Sequence, residues 1–403
     1  MPAAAEPDAL PRGAVACLSA SAFGSGMSLR VNDALLPKLA QEFAVPLGTA
    51  AQVISLFAIA YGVAQLFFGP LGDRFGKYRV VAWAAAACGV AALACALAPG
   101  FDALRAGRVL SGVAAAAIIP LSMAWIGDVV PYARRQPVLA RFLIGQIAGL
   151  SAGVWLGGFA ADHLSWRAPY VLIALLFAGA SAALFALQRR LPPAARATTR
   201  AAGPAWKRVL SEFGGVLSQR WARALLLLVF VEGMCLYGPF AFIATHLNQR
   251  FGLSLASAGS LVMLFGLGGL VFALGSGRLL SRLGEGGLAR GGGVLMCAAL
   301  LAIGLAPAWG WVPAGCFVLG LGFYMLHNTL QVNATQMAPQ RRGAAVSAFA
   351  ACFFLGQSAG VSLGGWWVGA LGAGRFMVAG AAGLLAVAFA FVALCRRLRP
   401  AAH

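Results

Sequence analysis

Charged side chains are rare inside the long apolar stretches of this chain, and four of them could do chemistry there. Arg30 and Asp33 lie three residues apart in the first stretch, so a helix would place them on one face. Arg108 lies in a second stretch and Glu232 in a third. A charge is costly in a low-dielectric interior and usually marks a functional site. We therefore predict that these four residues take part in proton coupling, with the two acids as the candidate proton carriers.

Glu232 is the stronger candidate for the proton carrier. It lies near the middle of its apolar stretch, with no basic residue close in sequence, and loss of water favours the neutral form of a carboxyl group. Asp33 and Arg108 lie at similar depths, so they can pair, and we expect this pair to couple proton binding to an outer gate. The alternatives are that Asp33 pairs only with Arg30, or that a hydrogen bond to another helix holds Glu232 neutral.

Long apolar segments must position these charges. The chain is 61% hydrophobic and 10% charged, with a mean hydropathy of +0.84, whereas a soluble domain carries about 25% charged residues. A run of about 20 apolar residues can cross a bilayer. The fold class predicted is an all-α membrane protein with twelve transmembrane helices. The predicted spans are 14–36, 49–70, 80–98, 103–126, 138–161, 169–188, 223–245, 257–280, 289–306, 312–333, 343–367 and 376–395.

The chain repeats itself at an offset of 208 residues. Gly69, Arg74 and Gly76 return as Gly277, Arg282 and Gly284. Internal repeats of this kind are typical of transporters whose pathway lies between two halves. We therefore predict two pseudo-symmetric six-helix bundles, 1–188 and 223–403, joined by a cytoplasmic linker, 189–222.

Basic residues are distributed unevenly between the predicted loops. With both termini inside, the inner segments hold 23 of the 30 lysines and arginines and the outer segments hold 5. This bias follows the positive-inside rule and predicts a multi-pass protein of a bacterial-type inner membrane with cytoplasmic termini. It explains the net charge of +19 without nucleic acid. The expected partners are the lipid bilayer and a small-molecule substrate, and we expect a monomer.

The loop after the second span reads Gly69-Pro-Leu-Gly-Asp73-Arg74-Phe-Gly76-Lys77-Tyr-Arg79. It resembles the signature loop of the major facilitator superfamily, G-x-L-[AG]-D-R-x-G-[RK]-[RK]-x. A degenerate copy follows at 277–284, where Ser281 replaces the acid. The resemblance covers the whole chain. It implies a conformational gate in which the loop arginines, Arg74 among them, meet Asp128 at the inner end of the fourth span. The implied gate residues in the loop are Gly69, Asp73, Arg74, Gly76, Lys77 and Arg79.

Two further motifs resemble the twelve-span drug:proton antiporters of that family. One is the fifth-span run of Gly149, Gly153, Gly157 and Gly158, in which Val154 replaces the usual proline. The other is the sequence Asp162-His-Leu-Ser-Trp166-Arg167, which is similar to the D-x-x-x-W-R outer loop of those antiporters. The resemblance implies proton-coupled efflux. Independently of it, glycines every four residues give a helix face that can pack closely on another helix.

Other polar side chains in the spans could line a substrate cavity, or each could make an interhelical hydrogen bond. The candidates are Asn32, Gln52, Gln65, Gln146, Tyr237, His327, Asn328, Gln331 and Gln357.

The function predicted is secondary active transport by alternating access, with a proton as the coupling ion and export of a small organic molecule. The alternatives are a proton-coupled importer or a metabolite or sugar transporter on the same fold, and a non-transporting receptor or scaffold. The sequence has no Walker-type phosphate loop, no nucleophile elbow and no metal-ligand spacing. We therefore expect no enzyme activity, no cofactor and no metal site.

Overall fold

All regular secondary structure in residues 13–196 and 205–398, which are the residues that the computed structural model describes, is helical. Eleven segments in these ranges are long and apolar enough to cross a membrane. One of them, Leu255–Gly304, is 50 residues long and is broken at Gly284, whose φ of 65° and ψ of 177° are not helical. Each side of the break can cross the bilayer, so the described chain has twelve spans. The predicted fold class is confirmed.

The helices follow the predicted spans but extend beyond most of them. Short irregularities interrupt α2, α4, α7 and α8 without dividing the span. The transmembrane helices are α1 (Ala14–Glu42), α2 (Leu47–Phe75), α3 (Lys77–Ala96), α4 (Phe101–Val129), α5 (Tyr132–His163), α6 (Ala168–Gln188), α7 (Arg220–Phe251), α8 (255–283), α9 (285–304), α10 (Val312–Ala334), α11 (Arg342–Leu371) and α12 (Ala373–Leu398).

The first helix ends later than the sequence predicted. Helix α1 continues through Pro37 to Glu42, whereas the predicted span ends at 36. Proline is tolerated within transmembrane helices because neighbouring helices satisfy the freed backbone groups. Asp33 therefore lies nine residues, or about 14 Å, from the outer end of its helix. This is deeper than the predicted end at residue 36 implied.

Glycines allow α5 to pack against the backbone of α1. A Cβ added to Gly153 would lie 2.7 Å from the carbonyl oxygen of Met27, and one added to Gly149 or Gly157 would overlap a carbonyl of α1. The second half repeats this arrangement, because a Cβ on Gly360 of α11 would overlap a carbonyl of α7. The glycine face predicted from the sequence thus has a partner helix in each bundle.

The two bundles meet through α2 against α11 and α5 against α8. The contacts lie toward the predicted outer side: Gly48 packs on Gly365, and Gly62 packs on α11 near Ala351. Toward the predicted inner side the helices diverge, because a Cβ added to Gly69 would have no neighbour within 4 Å among the described residues. The described arrangement is therefore closed on the predicted outer side.

The linker begins with the 3-10 turn Pro193–Arg196 and ends with the helix Ala205–Leu217, called the linker helix below. Residues 197–204 of the predicted linker lie outside the described residues. Trp125 of α4 donates from Nε1 to the carbonyl of Ala195 at 3.0 Å, and the linker helix packs against α2 and α11. The linker thus contacts both bundles at their predicted inner ends.

Candidate functional site

Arg30 connects the first bundle to the second in the interior of the protein. Its guanidinium is buried, bonds Asp33 at 3.5 Å and donates to Oε1 of Gln357 on α11 at 3.4 Å. Its central carbon lies 3.6 Å from the ring centroid of Tyr237 on α7. A cation on an aromatic face, with two hydrogen-bond partners, is firmly positioned. Arg30 therefore holds α1 against α7 and α11 in this arrangement.

The predicted ion pair between Asp33 and Arg108 is not made. Arg108 is fully buried, donates to the carbonyl of Val53 at 3.0 Å and to Oγ of Ser28 at 3.3 Å, and lies over the ring of Phe57. Its bonds thus go to α1 and α2 inside the first bundle. The sequence predicted similar depths for Asp33 and Arg108 because it ended α1 at residue 36. The helix continues to Glu42, so Asp33 lies deeper than predicted. Asp33 instead pairs with Arg30, the alternative considered above.

Glu232 has a partner that its sequence neighbourhood does not reveal. Nδ1 of His327 on α10 lies 2.9 Å from Oε2 of the Glu232 carboxyl, which is fully buried. Glu232 lies twelve residues, or about 18 Å, from the first residue of α7, near the middle of a hydrocarbon core of about 30 Å. His327 keeps 16% of its side chain exposed. A carboxyl group and an imidazole therefore share one hydrogen bond in the interior of the second bundle.

Aromatic rings connect the two charged clusters. Phe353 of α11 lies 4.4 Å from the His327 ring and 5.5 Å from the Tyr237 ring, measured between centroids. Phe323 of α10 is stacked on His327 at 4.8 Å and lies 5.7 Å from Tyr237. The cluster leaves little room for water between Arg30 and the Glu232–His327 pair. Phe323 and Phe353 therefore form continuous packing between the two clusters.

The remaining polar candidates divide between buried contacts and exposed positions. Asn32 accepts a hydrogen bond from the hydroxyl of Tyr170 at 2.5 Å, and Gln52 accepts one from Arg105 at 3.0 Å, so both act within the first bundle. Gln65 is buried, Gln146 is half-buried, and Asn328 and Gln331 are exposed. Of these, Gln331 lies one turn from His327 on the same face of α10. It is the candidate best placed beside the Glu232–His327 pair.

Lys77, rather than Arg74, binds the acids at the inner loop. Its ammonium lies 2.6 Å from Asp128 at the end of α4 and 3.7 Å from Asp73. The guanidinium of Arg74 lies over the ring of Phe75. The predicted contact of Arg74 with Asp128 is therefore absent here, because Lys77 occupies that carboxylate. In the second half Glu285 holds the place of Lys77 at the repeat offset of 208, and it accepts a hydrogen bond from Asn333 of α10.

The outer side has an acid contact between the bundles that the sequence did not predict. Asp162, at the outer end of α5, accepts a hydrogen bond at 2.6 Å from the backbone N–H of Ala256 in the first turn of α8. A carboxylate at a helix N-terminus satisfies a free donor and the helix dipole. Asp162 lies in the D-x-x-x-W-R motif, which marked the residue but not its partner helix.

Comparisons with known proteins match most of the chain. The model of the Major Facilitator Superfamily matches residues 18–361. The chain is 26% identical to YceJ, an uncharacterized MFS-type transporter of Bacillus subtilis (strain 168), over 82% of this chain and 83% of that protein. It is 27% identical to the multidrug export protein EmrB of Escherichia coli (strain K12) over 37% of this chain and 29% of EmrB.

Two further comparisons cover a shorter part of the chain or show the fold alone. A chloramphenicol resistance protein of Pseudomonas aeruginosa is 31% identical over 41% of this chain and 39% of that protein. The solved structure of a POT family transporter in complex with 5-aminolevulinic acid covers 97% of each chain with a TM-score of 0.77 and 14% identity, which shows a shared fold. This chain belongs to the major facilitator superfamily and is a multi-pass membrane transporter, not an enzyme.

Proposed function

We propose that this transporter exports a small organic molecule in exchange for protons by alternating access. The observation that carries the proposal is the Glu232–His327 pair. A fully buried carboxyl group in mid-membrane, bonded to an imidazole at 2.9 Å, has few structural uses and suits reversible proton binding. No other cofactor enters the proposal, because the proton is the coupling ion.

In the proposed cycle the Glu232–His327 pair takes up a proton from the outer side and releases it to the inner side. His327 is the partly exposed member of the pair, so in this cycle the proton reaches and leaves Glu232 through the imidazole. Export direction is supported by the similarity to EmrB and to the chloramphenicol resistance protein, whose names describe export and resistance. It is also supported by the antiporter-like glycine run of α5.

Arg30 is the proposed connection between proton binding and the outer gate. It belongs to the first bundle, yet its bonds reach Tyr237 and Gln357 of the second. The outer side cannot open unless these contacts break. Asp33 is the only acid that pairs with Arg30 among the described residues, so its proton occupancy sets how strongly Arg30 is held. Asp33 and Arg30 thus act at the gate, whereas Glu232 carries the proton.

The same scheme assigns the inner loop to the opposite gate. Asp73, Lys77 and Asp128 form an ion cluster at the predicted inner ends of α2, α3 and α4. We propose that this loop meets α11 when the inner ends of the bundles close, because α2 packs on α11 and diverges from it at Gly69. In the arrangement described here, the ion pairs of this cluster join only helices of the first bundle.

Everted membrane vesicles with a pH-sensitive dye test the proposal. Respiration acidifies the vesicle interior, and a panel of small organic molecules that begins with chloramphenicol is then added outside. An exporter that exchanges substrate for protons releases protons from the vesicles when its substrate is added, and Glu232→Gln abolishes this release. Glu212→Gln, a change at an exposed acid of the linker helix, is the matched control and preserves it.

Two results would overturn the proposal. Substrate that leaves preloaded vesicles together with protons would make the protein an importer. Proton release that is unchanged in Glu232→Gln would remove the residue from the coupling step.

A further inference from the structure

A large cavity lies at the periphery of the first bundle, away from Arg30 and the Glu232–His327 pair. Its volume is about 860 Å³, and every residue that lines it belongs to α2, α3 or α4. The walls are apolar side chains such as Phe68 and Phe75 of α2 and Leu110 of α4, and alanines of α3 form its floor. We call this cavity the α2–α4 crevice. It is large enough for a sizeable apolar ligand.

The shape of the crevice matches an acyl chain. It follows α3 from Arg79 to Ala94, a distance of fifteen residues or about 22 Å. One leaflet contributes about half of a hydrocarbon core of about 30 Å. The crevice therefore extends through the whole depth of one leaflet. Alanines at 84, 87 and 91 leave space for a chain along the α3 side of the crevice.

One end of the crevice carries a cation without an acidic partner. Arg79 is exposed, lines the crevice and lies at the predicted inner end of α3. Both acids of the neighbouring loop region, Asp73 and Asp128, are bound by Lys77. Among the described residues no carboxylate lies within ion-pair distance of Arg79. An anionic group can therefore reach its guanidinium, which forms two parallel hydrogen bonds with phosphate.

Trp83 lies one turn deeper on the same face of α3. It lines the crevice with 59% of its surface exposed and packs edge-on against Phe185 of α6. A tryptophan near the end of a transmembrane helix is typical of the headgroup boundary. Along α3 the crevice thus presents a basic residue, then an aromatic residue, then an apolar channel. A membrane lipid has its phosphate, its glycerol region and its acyl chains in the same order.

The repeat indicates that this cation and this ring are not requirements of the fold. At the offset of 208 residues, Gly287 and Gly291 of α9 stand in the places of Arg79 and Trp83. The second bundle therefore folds the equivalent helix without either side chain. Their presence in the first bundle needs a separate reason, and a ligand with an anionic head and an apolar chain supplies one.

We propose that the α2–α4 crevice is a binding site for an anionic phospholipid of the inner leaflet, with the phosphate on Arg79 and an acyl chain along α3. The site does not depend on the transport direction or on the proton carrier. Because α2 also packs across the bundle interface on α11, a lipid bound here contacts a helix that takes part in the gate.

Lipid retention by the purified full-length transporter tests this site. Native mass spectrometry measures binding of phosphatidylglycerol and phosphatidylcholine with matched chains to the wild type, Arg79→Gln, Arg79→Lys and Arg290→Gln. Arg290 is exposed on α9 at the same side and lies outside the crevice, so it controls for net charge. The wild type should prefer phosphatidylglycerol. In Arg79→Gln the ratio of bound phosphatidylglycerol to bound phosphatidylcholine should be about five-fold lower, which is the effect of one basic residue near an anionic surface.

A second readout separates the chain from the headgroup. Phosphatidylglycerol with brominated chains quenches the fluorescence of nearby tryptophans. The difference in quenching between the wild type and Trp83→Phe is the contribution of Trp83, which lines this crevice. Ala87→Phe fills the apolar channel without changing charge, so it should reduce that quenching while Arg79 is intact. Arg79→Lys and Arg290→Gln should keep the lipid preference. Equal retention of both lipids by the wild type, or an unchanged preference in Arg79→Gln, would overturn the proposal.

Discussion

At the residue scale, Arg30 of the first bundle contacts two helices of the second, α7 and α11. It spans the bundle interface, is 2% exposed, and combines an ion pair, an amide hydrogen bond and a cation–π contact. The planar guanidinium stacks on Tyr237 and uses one nitrogen for Asp33 and another for Gln357. A lysine keeps the charge but cannot form the fork or stack flat on Tyr237.

Arg30→Lys should destabilise the protein, whereas the same change at Arg105 should not. Arg105 has the same types of partner, donating to Gln52 and pairing with Asp102, but 38% of its side chain is exposed. Loss of the buried hydrogen bonds of Arg30 should cost about 1–3 kcal/mol, and an exposed pair contributes little. The measurement is the midpoint of thermal unfolding in detergent. Equal midpoints for the two variants would contradict this role of Arg30.

The sequence predicted the important residues better than it predicted their partners. Arg30, Asp33, Arg108 and Glu232 stood out because charges are rare in apolar spans. Their partners depend on how helices distant in sequence are placed. Glu232 and His327 are 95 residues apart, and no local pattern joins them. The Asp33–Arg108 prediction was wrong because it rested on an estimate of depth, and depth depends on where a helix ends.

At the element scale, the close contact of α1 and α5 is the feature with the clearest sequence signal. Gly149, Gly153 and Gly157 recur every four residues, and each faces a backbone carbonyl of α1. Lipid does not drive helices together as water does, so close van der Waals packing must stabilise the bundle. The α7–α11 pair repeats the arrangement.

Gly157→Ala should destabilise the first bundle, and Gly179→Ala should not. A methyl group at 157 would overlap the carbonyl oxygen of Val31, and overpacking of this kind costs about 1–3 kcal/mol. Gly179 of α6 has nothing within 4 Å of an added Cβ, so alanine there should be neutral or stabilising by about 0.5–1 kcal/mol. Thermal unfolding of both variants makes the comparison. A neutral Gly157→Ala would show that α1 and α5 separate easily.

The inner loops show how far a repeat can guide prediction at this scale. At the offset of 208 residues, Glu285 corresponds to Lys77. Lys77 pairs with Asp128 near the end of α4, and Glu285 accepts a hydrogen bond from Asn333 near the end of α10. The repeat therefore indicated the position of Glu285 but not its partner, because Asp128 corresponds to Gln336 and not to Asn333. The contact was missed because Ser281, not Glu285, stands where the acid of the motif is expected. Twelve spans were predictable from hydropathy, whereas the end of α1 was not, since proline did not stop it.

At the scale of the whole molecule, two polar contacts join the bundles between mid-membrane and the predicted outer side. Asp162 of the first bundle caps the first turn of α8 in the second, and Arg30 bonds α7 and α11 further in. Both contacts must break if the outer side is to open.

Asp162→Ala should shift the population toward an arrangement that is open on the outer side. Loss of a helix cap costs about 0.5–2 kcal/mol, and here that cost falls on the closed arrangement alone because the donor and acceptor belong to different bundles. Spin labels at 164 and 249 should report a longer outer distance, and labels at 136 and 340 a shorter inner one. Asp102→Ala removes an outer acid whose ion pair stays within the first bundle, and it should leave both distances unchanged. No lengthening in Asp162→Ala would exclude the cap as a latch.

The central claim is that Glu232 carries the coupling proton while Asp33 acts at the gate. Purified protein in proteoliposomes separates the two roles, using the substrate that releases protons in the everted vesicles. Transport driven by an imposed pH gradient is compared with exchange of labelled for unlabelled substrate at equal pH. Glu232→Gln keeps the shape of the side chain but cannot release a proton, so it should lose gradient-driven accumulation and retain exchange. If Glu232→Gln accumulates substrate at the wild-type rate and Asp33→Asn does not, Asp33 is the carrier and the assignment is wrong.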